Sequence, residues 1–197
     1  MFDDSIGLTS TVLLGIKTMT RRDEIDYNLR FYSQMEDTVM KIEDNAIVVY
    51  SKDNELLCRK KTRYGVGDVV AVAQPYKDVL DFLPYPHRDS NGRINPEIPA
   101  SAGYNNKMFV KAELMPIHIK ITDIRLESLQ DISEGDCLKE GILMSPFETV
   151  KETFRSIVNK TMGKETWNYN PVVVVYEFEI LKEDLDIALR IAFDSSK

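Results

Sequence analysis

The chain has 197 residues and a formal net charge of −7 at pH 7, with 43% hydrophobic and 29% charged residues. These values are typical of a soluble globular protein, and the length predicts one domain whose core needs no disulfides. The acidic total argues against a protein that grips long nucleic acid through many phosphates, because such proteins are usually basic. A small basic pocket for one nucleotide or a short single strand stays compatible with it.

Several features restrict the compartment and the chemistry. The longest apolar run, near residues 172–175, is strand-sized, and no basic segment precedes an apolar stretch at the N-terminus. Neither a membrane span nor a secretory signal is therefore expected. Cys58 and Cys137 lack CxxC spacing and predict free thiols in a reducing, cytoplasmic setting. With only two histidines, no metal site and no other cofactor is expected.

A stretch near the N-terminus carries the strongest chemical signal. A short apolar helix is predicted to end at Gly15, and Lys17 and Thr20 follow in a segment that turns extended. A primary amine beside a hydroxyl is one of the few pairs of base and nucleophile that needs no histidine. A solvated basic loop is the alternative, and the stretch by itself favours that interpretation.

The next segments predict a surface excursion and a hairpin. Residues 23–43 are rich in acids and carry apolar residues at four-residue spacing, which predicts one or two helical turns. Residues 46–50 and 56–58 predict two strands around a polar turn. The second strand leads into the basic run 59–63, which is either a phosphate contact or the lysine-rich part of a solvated edge strand.

A glycine-containing turn and a long irregular segment follow. Gly67 and Asp68 predict a tight turn that feeds a buried strand. Residues 77–105 contain four prolines and predict a long loop of the kind that is often functional or mobile. Strands are expected again at 108–110 and at 117–121, where apolar and polar residues alternate.

The last third predicts helices on either side of a buried strand. A helix from Glu134 should end at Gly141, which puts Glu140 at a helix C-terminus, where the macrodipole disfavours an acid. That mismatch is either meaningless or the mark of a carboxylate kept for chemistry. Ser145 is the predicted cap of the next helix, and residues 172–180 predict a buried strand.

The order of these elements predicts an α+β domain around a small, mostly antiparallel β-barrel with flanking helices. An amphipathic helix at about 182–194 closes the sequence. We expect this C-terminal helix to pack either on the domain or on a second subunit, which would make the protein a homodimer.

Four motifs in one order resemble the ASCH family of the PUA-like superfamily, in particular its larger phage and bacterial members. The first is the signature G-x-K-x-x-T-x-R, and the others are Y-x-x-G-D, a block that ends in Glu-Gly, and a closing segment before the last strand. Their counterparts are Gly15, Lys17, Thr20 and Arg22; Tyr64, Gly67 and Asp68; Ile121 to Ile142 with Glu140 and Gly141; and Trp167, Asn168, Asn170 and Pro171.

The resemblance covers residues 8–22, 62–76 and 105–181 and implies a single PUA-like domain over 1–197. Residues 23–61 and 77–104 lack counterparts and look like insertions. The chain also departs from many relatives at the end of the strand after the Gly-Asp turn. These relatives carry an aromatic, a basic residue and a glutamate there, whereas this chain has Ala71, Ala73 and Gln74. Gln74 retains the capacity to hydrogen-bond a base edge.

The resemblance implies two classes of function. The family was regarded as probable RNA-binding modules, and some short members are amidohydrolases that remove the acetyl group from N4-acetylcytidine. In those enzymes a lysine, a threonine and a glutamate carry the reaction, and their counterparts here are Lys17, Thr20 and Glu140. The implied mechanism has Thr20 attack the amide carbonyl while Lys17 takes its proton, and Glu140 orients Lys17 or passes the proton on.

Three hypotheses follow. The first is a binding module that holds RNA, a nucleoside or a nucleotide in a small basic cleft. Its candidate ligand contacts are Arg21, Arg22, Lys60, Arg63, Tyr64, Gln74, Tyr76 and Trp167. The second is the amidohydrolase. The third is a structural or regulatory protein in which the lysine, the glutamate and the arginines form an ion-pair network without catalysis.

Overall fold

The computed structural model describes residues 8–83, 91, 93, 97–143 and 147–194. The helices are α1 (Leu8–Leu13), α2 (Tyr27–Ser33), α3 (Tyr76–Val79), α4 (Glu97–Ala100), α5 (Glu134–Lys139), α6 (Val150–Thr161), α7 (Thr166–Tyr169) and α8 (Leu185–Asp194). The strands are β1 (Met19–Arg22), β2 (Val39–Glu43), β3 (Ala46–Tyr50), β4 (Leu56–Lys61), β5 (Val69–Ala71), β6 (His118–Ser128) and β7 (Val172–Ile180).

The strands form two separate sheets. One has four strands in the order β1-β7-β6-β5, and the other has three in the order β2-β3-β4. The pairs β1–β7, β2–β3, β3–β4 and β5–β6 are antiparallel. The α+β class with antiparallel sheets and flanking helices is therefore confirmed. The strands of the described residues do not close into a barrel.

The chain was predicted to be one domain, and it divides into two compact units. The first contains the described residues within Met1–Ile16, Val69–Lys120 and Glu179–Lys197. The second contains Lys17–Asp68 and the described residues within Ile121–Phe178. The supposed insertion 23–61 thus belongs to the second unit, where it supplies α2 and the whole three-stranded sheet. Part of the other supposed insertion, 77–104, lies outside the described residues.

The hairpin predicted in the second unit is confirmed as β3 and β4, and a third strand, β2, precedes it. Asp44 and Asn45 join β2 to β3, and both have positive φ, at 49° and 55°. Two successive left-handed residues are typical of the tight hairpin turn whose twist matches that of the strands. This turn fixes the register, with Glu43 opposite Ala46.

Two predicted elements are wrong. Residues 107–109 form a short 3-10 turn, because the side chain of Asn106 caps the backbone N–H of Met108 and the chain curls there. Helix α6 begins at Val150, capped by Thr149. The reciprocal bonds between Thr149 and Glu152 form a complete capping box, so the helix begins after the expected start near Ser145. Ser145 itself lies outside the described residues.

A hydrophobic cluster in the second unit ties α5 and α6 to β7. Its buried members are Leu129, Ile132, Cys137, Ile142, Phe154, Val158 and Val173. The ring of Trp167 packs edge-on against Phe154 at 6.2 Å between centroids. This cluster packs against α5 and holds it in place, and Glu140 lies at the C-terminal end of that helix.

In the first unit, the predicted C-terminal helix is confirmed as α8, which packs against α1. Asp184, which directly precedes α8, is bonded to the start of β6. Its carboxylate accepts a hydrogen bond from the backbone N–H of His118 at 2.8 Å. Within the part of the chain that the structure describes, no helix has the length and apolar character needed to cross a membrane. Dimerisation through α8 stays a prediction.

Candidate functional site

The end of helix α5 is built to present carbonyl groups. Gly141 adopts a left-handed φ of 83°, and its N–H donates to the Leu138 carbonyl while that of Ile142 donates to the Cys137 carbonyl. This pair of bonds is the Schellman motif that ends a helix at glycine. It leaves the carbonyls of Lys139 and Glu140 pointing beyond the helix, where they need other donors.

The segment before β1 supplies those donors. The backbone N–H of Thr18 donates to the Lys139 carbonyl at 2.8 Å. The ammonium of Lys17 donates to the Glu140 carbonyl at 2.8 Å, to Glu140 Oε2 at 2.6 Å and to the Met19 carbonyl at 2.8 Å. A positive charge at the C-terminal end of a helix is favourable, so Lys17 offsets the unfavourable placement of the Glu140 carboxylate.

Lys17 and Glu140 are both deeply buried, with 2% and 6% of their surfaces exposed. The three acceptors around Lys17 match the three hydrogens of its ammonium. Burial lowers the pKa of Lys17 below its ordinary value, and the facing carboxylate of Glu140 works against that shift. The nearby guanidinium groups of Arg22 and Arg21 lower the pKa further, by smaller amounts.

Arg21 extends the network on the same side of β1. Its Nη1 donates to the second carboxylate oxygen of Glu140 at 3.0 Å, and its Nη2 donates to Glu127 at 2.9 Å. Asp136, near the start of α5, lies 3.6 Å from the same Nη2. The guanidinium also lies over the ring of Phe154, at 5.9 Å from the centroid. Both Nη atoms of Arg21 thus have acceptors, whereas its buried Nε has no hydrogen-bond partner among the described residues.

Arg125 on β6 completes this group. It forms ion pairs with Glu127, Asp136 and Glu177. We call the set of three cations and four carboxylates the ion-pair cluster: Lys17, Arg21, Arg125, Glu127, Asp136, Glu140 and Glu177. It joins β1, β6, β7 and α5.

Thr20 lies on the opposite face of β1. Burial alternates along this segment, with Lys17, Met19 and Arg21 buried and Thr20 and Arg22 half-buried, as expected for an extended chain. Thr20 is paired with Tyr176 on β7. Directly opposed residues of an antiparallel pair share one face of the sheet, so Thr20 lies beside Tyr176 and away from the ion-pair cluster.

Tyr176 is the centre of a second polar group. Its fully buried hydroxyl donates to Glu24 Oε2 at 3.0 Å and accepts from the backbone N–H of Arg63 at 3.1 Å. The ring of Tyr64 packs edge-on against Tyr176, at 5.5 Å between centroids. Burial raises the pKa of the Tyr176 phenol, and the charge of Glu24 raises it further. We call Thr20, Glu24, Arg63, Tyr64 and Tyr176 the Tyr176 face.

Some polar atoms of the Tyr176 face have no internal partner among the described residues. Within the described part of the chain, the hydroxyl of Thr20 takes part in no hydrogen bond, and the exposed side chain of Arg63 forms no salt bridge. Glu24 Oε1 is buried and likewise finds no hydrogen-bond partner among the described residues. Tyr64 is half-buried, so part of its ring faces outward.

The structure thus divides the residues predicted for the site. Lys17 and Glu140 are in contact, Arg21 joins them, and Thr20 lies on the opposite face. Lys60 is occupied by Asp26 and by the Glu24 carbonyl.

Three other predicted ligand contacts lie elsewhere. Trp167 packs in the hydrophobic cluster of the second unit. Gln74 and Tyr76 belong to the first unit, where both are buried. The backbone N–H of Gln74 contacts Met115 Sδ, and the Tyr76 hydroxyl accepts from the backbone N–H of Lys111.

Sequence reasoning missed the partners of these residues. The alternation of Asp123, Arg125 and Glu127 on β6 places three charges on one face of a strand, and this signal was available. Asp136 lies one turn before Glu140 on the same helix, at a spacing of four residues. Tyr176 follows four valines in a buried strand, where nothing distinguished it from a core residue.

Among the described residues, no group of three or more His, Cys, Asp and Glu side chains is arranged to hold a metal ion. The carboxylates of the ion-pair cluster surround guanidinium groups and an ammonium, which take the place that a cation would need. Comparison of the chain with protein-family models, with curated proteins and with solved structures found no match.

Proposed function

We propose that the protein binds a nucleoside, a nucleotide or single-stranded RNA on the Tyr176 face, as an ASCH-type domain of the PUA-like class. The observation that carries the proposal is the two-sidedness of β1. Its buried face carries the ion pairs of Lys17 and Arg21. On the other face the hydroxyl of Thr20 takes part in no hydrogen bond among the described residues, and Thr20 lies opposite Tyr176, against which the half-buried Tyr64 packs. An aromatic ring beside hydroxyl and cationic groups suits a base and its sugar-phosphate.

In this proposal the ion-pair cluster is structural. Lys17, Arg21 and Glu140 hold β1 against the end of α5, and thereby fix the position of Thr20 on the other side of the strand. This combines the binding hypothesis with the structural one. The small size of the face agrees with the acidic net charge of −7, which does not favour a long nucleic-acid track.

The test is calorimetric titration with the four ribonucleoside 5′-monophosphates, for the natural protein and for Thr20→Val and Tyr64→Ala. We expect at least one nucleotide to bind and both variants to weaken its binding severalfold, because a hydrogen bond and a stacking surface are lost. Thr122→Val and Tyr169→Ala alter an exposed threonine and an exposed tyrosine elsewhere, and serve as matched controls. Equal weakening by the control variants would refute the assignment of the face.

One observation favours the amidohydrolase as a second candidate. The Lys17 ammonium is buried against Glu140 and has a lowered pKa, as a lysine that acts as a base requires. In that reaction the Thr20 oxygen would attack the acyl carbon, Lys17 would take the Thr20 proton, and the departing amine would receive a proton through Glu140. Water would then hydrolyse the acyl-threonine.

Two features weigh against this candidate. The ammonium already has three internal acceptors, and Thr20 lies on the other face of the extended segment. The test is the release of acetate from N4-acetylcytidine by the natural protein, with Lys17→Ala and Thr20→Val as variants and Lys52→Ala as the control. Turnover by the natural protein that both variants abolish would establish the candidate, and turnover that survives Lys17→Ala would refute the mechanism.

A further inference from the structure

The basic run 59–63, which begins within β4, contains both exposed and half-buried cations. Residues 59, 61 and 63 are exposed, whereas Lys60 and Thr62 between them are half-buried and buried. The alternation begins within β4 and continues past its end. Side chains two residues apart in a strand point to the same face, so Arg59 and Lys61 lie side by side on β4. The chain bends at Arg63, which follows them just past the end of the strand. We call these three cations the row.

The internal contacts of the run separate the same two groups. Lys60 bonds the Glu24 carbonyl at 2.7 Å and forms an ion pair with Asp26, which fixes the start of α2 against β4. Within the described part of the chain, none of the three exposed cations forms a salt bridge. Glu43 lies across β3 from β4, and its pKa is lowered chiefly by its hydrogen bond to Tyr50, then by Lys41, and least by Arg59.

The row leads to the Tyr176 face. Its last member, Arg63, donates its backbone N–H to the Tyr176 hydroxyl and to Glu24, and Tyr64 follows directly. The side chains of Arg59 and Lys61 are separated by about 7 Å, twice the rise of a strand residue. This spacing is close to the separation of neighbouring phosphates in an extended single strand.

We propose that Arg59, Lys61 and Arg63 hold successive phosphates of a single-stranded nucleic acid whose terminal or internal base occupies the Tyr176 face. The inference rests on the proposed function and sharpens it, because it makes the ligand a nucleotide within a strand and not a free nucleoside. Cations that follow the backbone, next to an aromatic ring on which a base can stack, are the combination by which proteins bind single-stranded nucleic acid. Cations on an edge strand also deter sheet-to-sheet association, and the experiment separates the two roles.

The probe is a fluorescein-labelled hexaribonucleotide of random sequence, and its binding to the full chain is followed by fluorescence anisotropy between about 50 and 300 mM KCl. Three phosphate contacts predict that the logarithm of the binding constant falls with the logarithm of salt concentration at a slope of about −2. Arg59→Gln and Lys61→Gln should each reduce that slope by about 0.7 and weaken binding at low salt. Lys164→Gln removes an exposed lysine elsewhere and should change neither quantity.

A second measurement distinguishes the failure of this inference from that of the proposed function. The affinity for the best mononucleotide should be unchanged in Arg59→Gln and Lys61→Gln, because one nucleotide reaches only the Tyr176 face. The phosphate contacts of the row are refuted if the mononucleotide binds but the hexamer binds no tighter, or if the salt slope of hexamer binding is the same in all variants. The nucleotide site on the Tyr176 face is then still supported. If the hexamer responds to the row but not to Thr20→Val or Tyr64→Ala, the row stands and the face is wrong.

Two further outcomes also count against the row. Binding of neither probe would overturn both proposals together. Sedimentation velocity that shows self-association of the Arg59→Gln, Lys61→Gln double variant, with unchanged hexamer binding, would assign the cations to protection of the sheet edge.

Discussion

The ammonium of Lys17 lies 2.6 Å from the Glu140 carboxylate and 2.8 Å from the carbonyl of the same residue. One residue at the end of α5 therefore accepts two of the three hydrogens that Lys17 donates. Because Lys17 lies two residues before β1 and Glu140 directly follows α5, this contact fixes the strand to the helix. The acid that is misplaced with respect to the helix dipole thereby becomes the acceptor that a buried lysine needs.

The first prediction concerns this contact. Lys17→Met should lower the free energy of unfolding by about 3 kcal/mol, because it leaves a buried carboxylate and a helix-end carbonyl with fewer donors. Glu140 keeps Arg21 as a partner, which limits the loss. Urea unfolding followed by circular dichroism measures the change.

The control for Lys17→Met is Lys52→Met, which breaks the exposed ion pair with Asp37 and should cost less than about 1 kcal/mol. The double variant Lys17→Met, Glu140→Gln should cost clearly less than the sum of its single changes, since the two residues are coupled. Additive losses would mean that the contact does not hold the strand to the helix.

The second prediction concerns the alkaline side of the stability curve. Burial in the hydrophobic cluster raises the pKa of the Cys137 thiol from 9.0 to about 11. Between these values the folded state keeps a proton that the unfolded chain has released, so the stability that this thiol contributes below pH 9 is lost as pH rises toward 11. The slope contributed by one proton is at most about 1.4 kcal/mol per pH unit.

Cys137→Ala should therefore flatten the decline of unfolding free energy between pH 9 and 11, even though the variant is less stable overall because of the cavity. Cys58→Ala is the matched change at the half-buried cysteine and should leave the slope as it is. The measurement is urea unfolding at a series of pH values under reducing conditions. Parallel pH profiles for the natural protein and Cys137→Ala would contradict the assignment.

Local signals allowed much of the fold to be predicted. Hairpin β3–β4, helix α5 with its end at Gly141, and helix α8 follow from periodicity and from glycine at a helix end. The 3-10 turn at Lys107–Phe109 was missed because the apolar triplet there outweighed the capping role of Asn106. Two strong cap signals precede α6, since Ser145 is followed by Glu148 and Thr149 by Glu152 at the reciprocal position, and the helix begins at the second of them.

The candidate site was only partly predictable, for a different physical reason. Glu140 was recognised as a misplaced acid, and its contact with Lys17 pairs residues 123 positions apart in the chain. The face on which each residue lies depends on where the extended segment begins. The burial alternation reaches back to Lys17, which separates Lys17 from Thr20, whereas a tight turn would have joined them. No local pattern of residues distinguishes these two arrangements.

The third prediction concerns the cap of α6. Thr149→Ala removes the acceptor for the backbone N–H of Glu152 and should lower the free energy of unfolding by about 1 kcal/mol. Thr153→Ala changes a threonine within the same helix whose hydroxyl bonds back to the Thr149 carbonyl, and it should be neutral or slightly stabilising. Thermal unfolding of the two variants measures the difference. Equal melting temperatures of the two variants would mean that Thr149 does not cap the helix.

The last prediction links the Tyr176 face to its support. Tyr176→Phe keeps the buried ring but removes the hydroxyl that bonds Glu24 and the Arg63 backbone. Arg63 retains Glu24 Oε2 as an acceptor at 2.9 Å, so the loss in the free energy of unfolding should be modest, about 1 kcal/mol. The affinity for the best mononucleotide should fall more than this stability loss explains, because Arg63 and Tyr64 lose the bond that positions them.

Tyr50→Phe is the control, since it also removes a tyrosine hydroxyl that bonds a glutamate, here Glu43, outside the Tyr176 face. Calorimetric titration of both variants, at a temperature where both are fully folded, gives the two affinities. An affinity that Tyr176→Phe leaves unchanged would show that the Tyr64 ring is positioned without help from Tyr176. The edge-on contact of the two rings, at 5.5 Å between centroids, would then be packing alone.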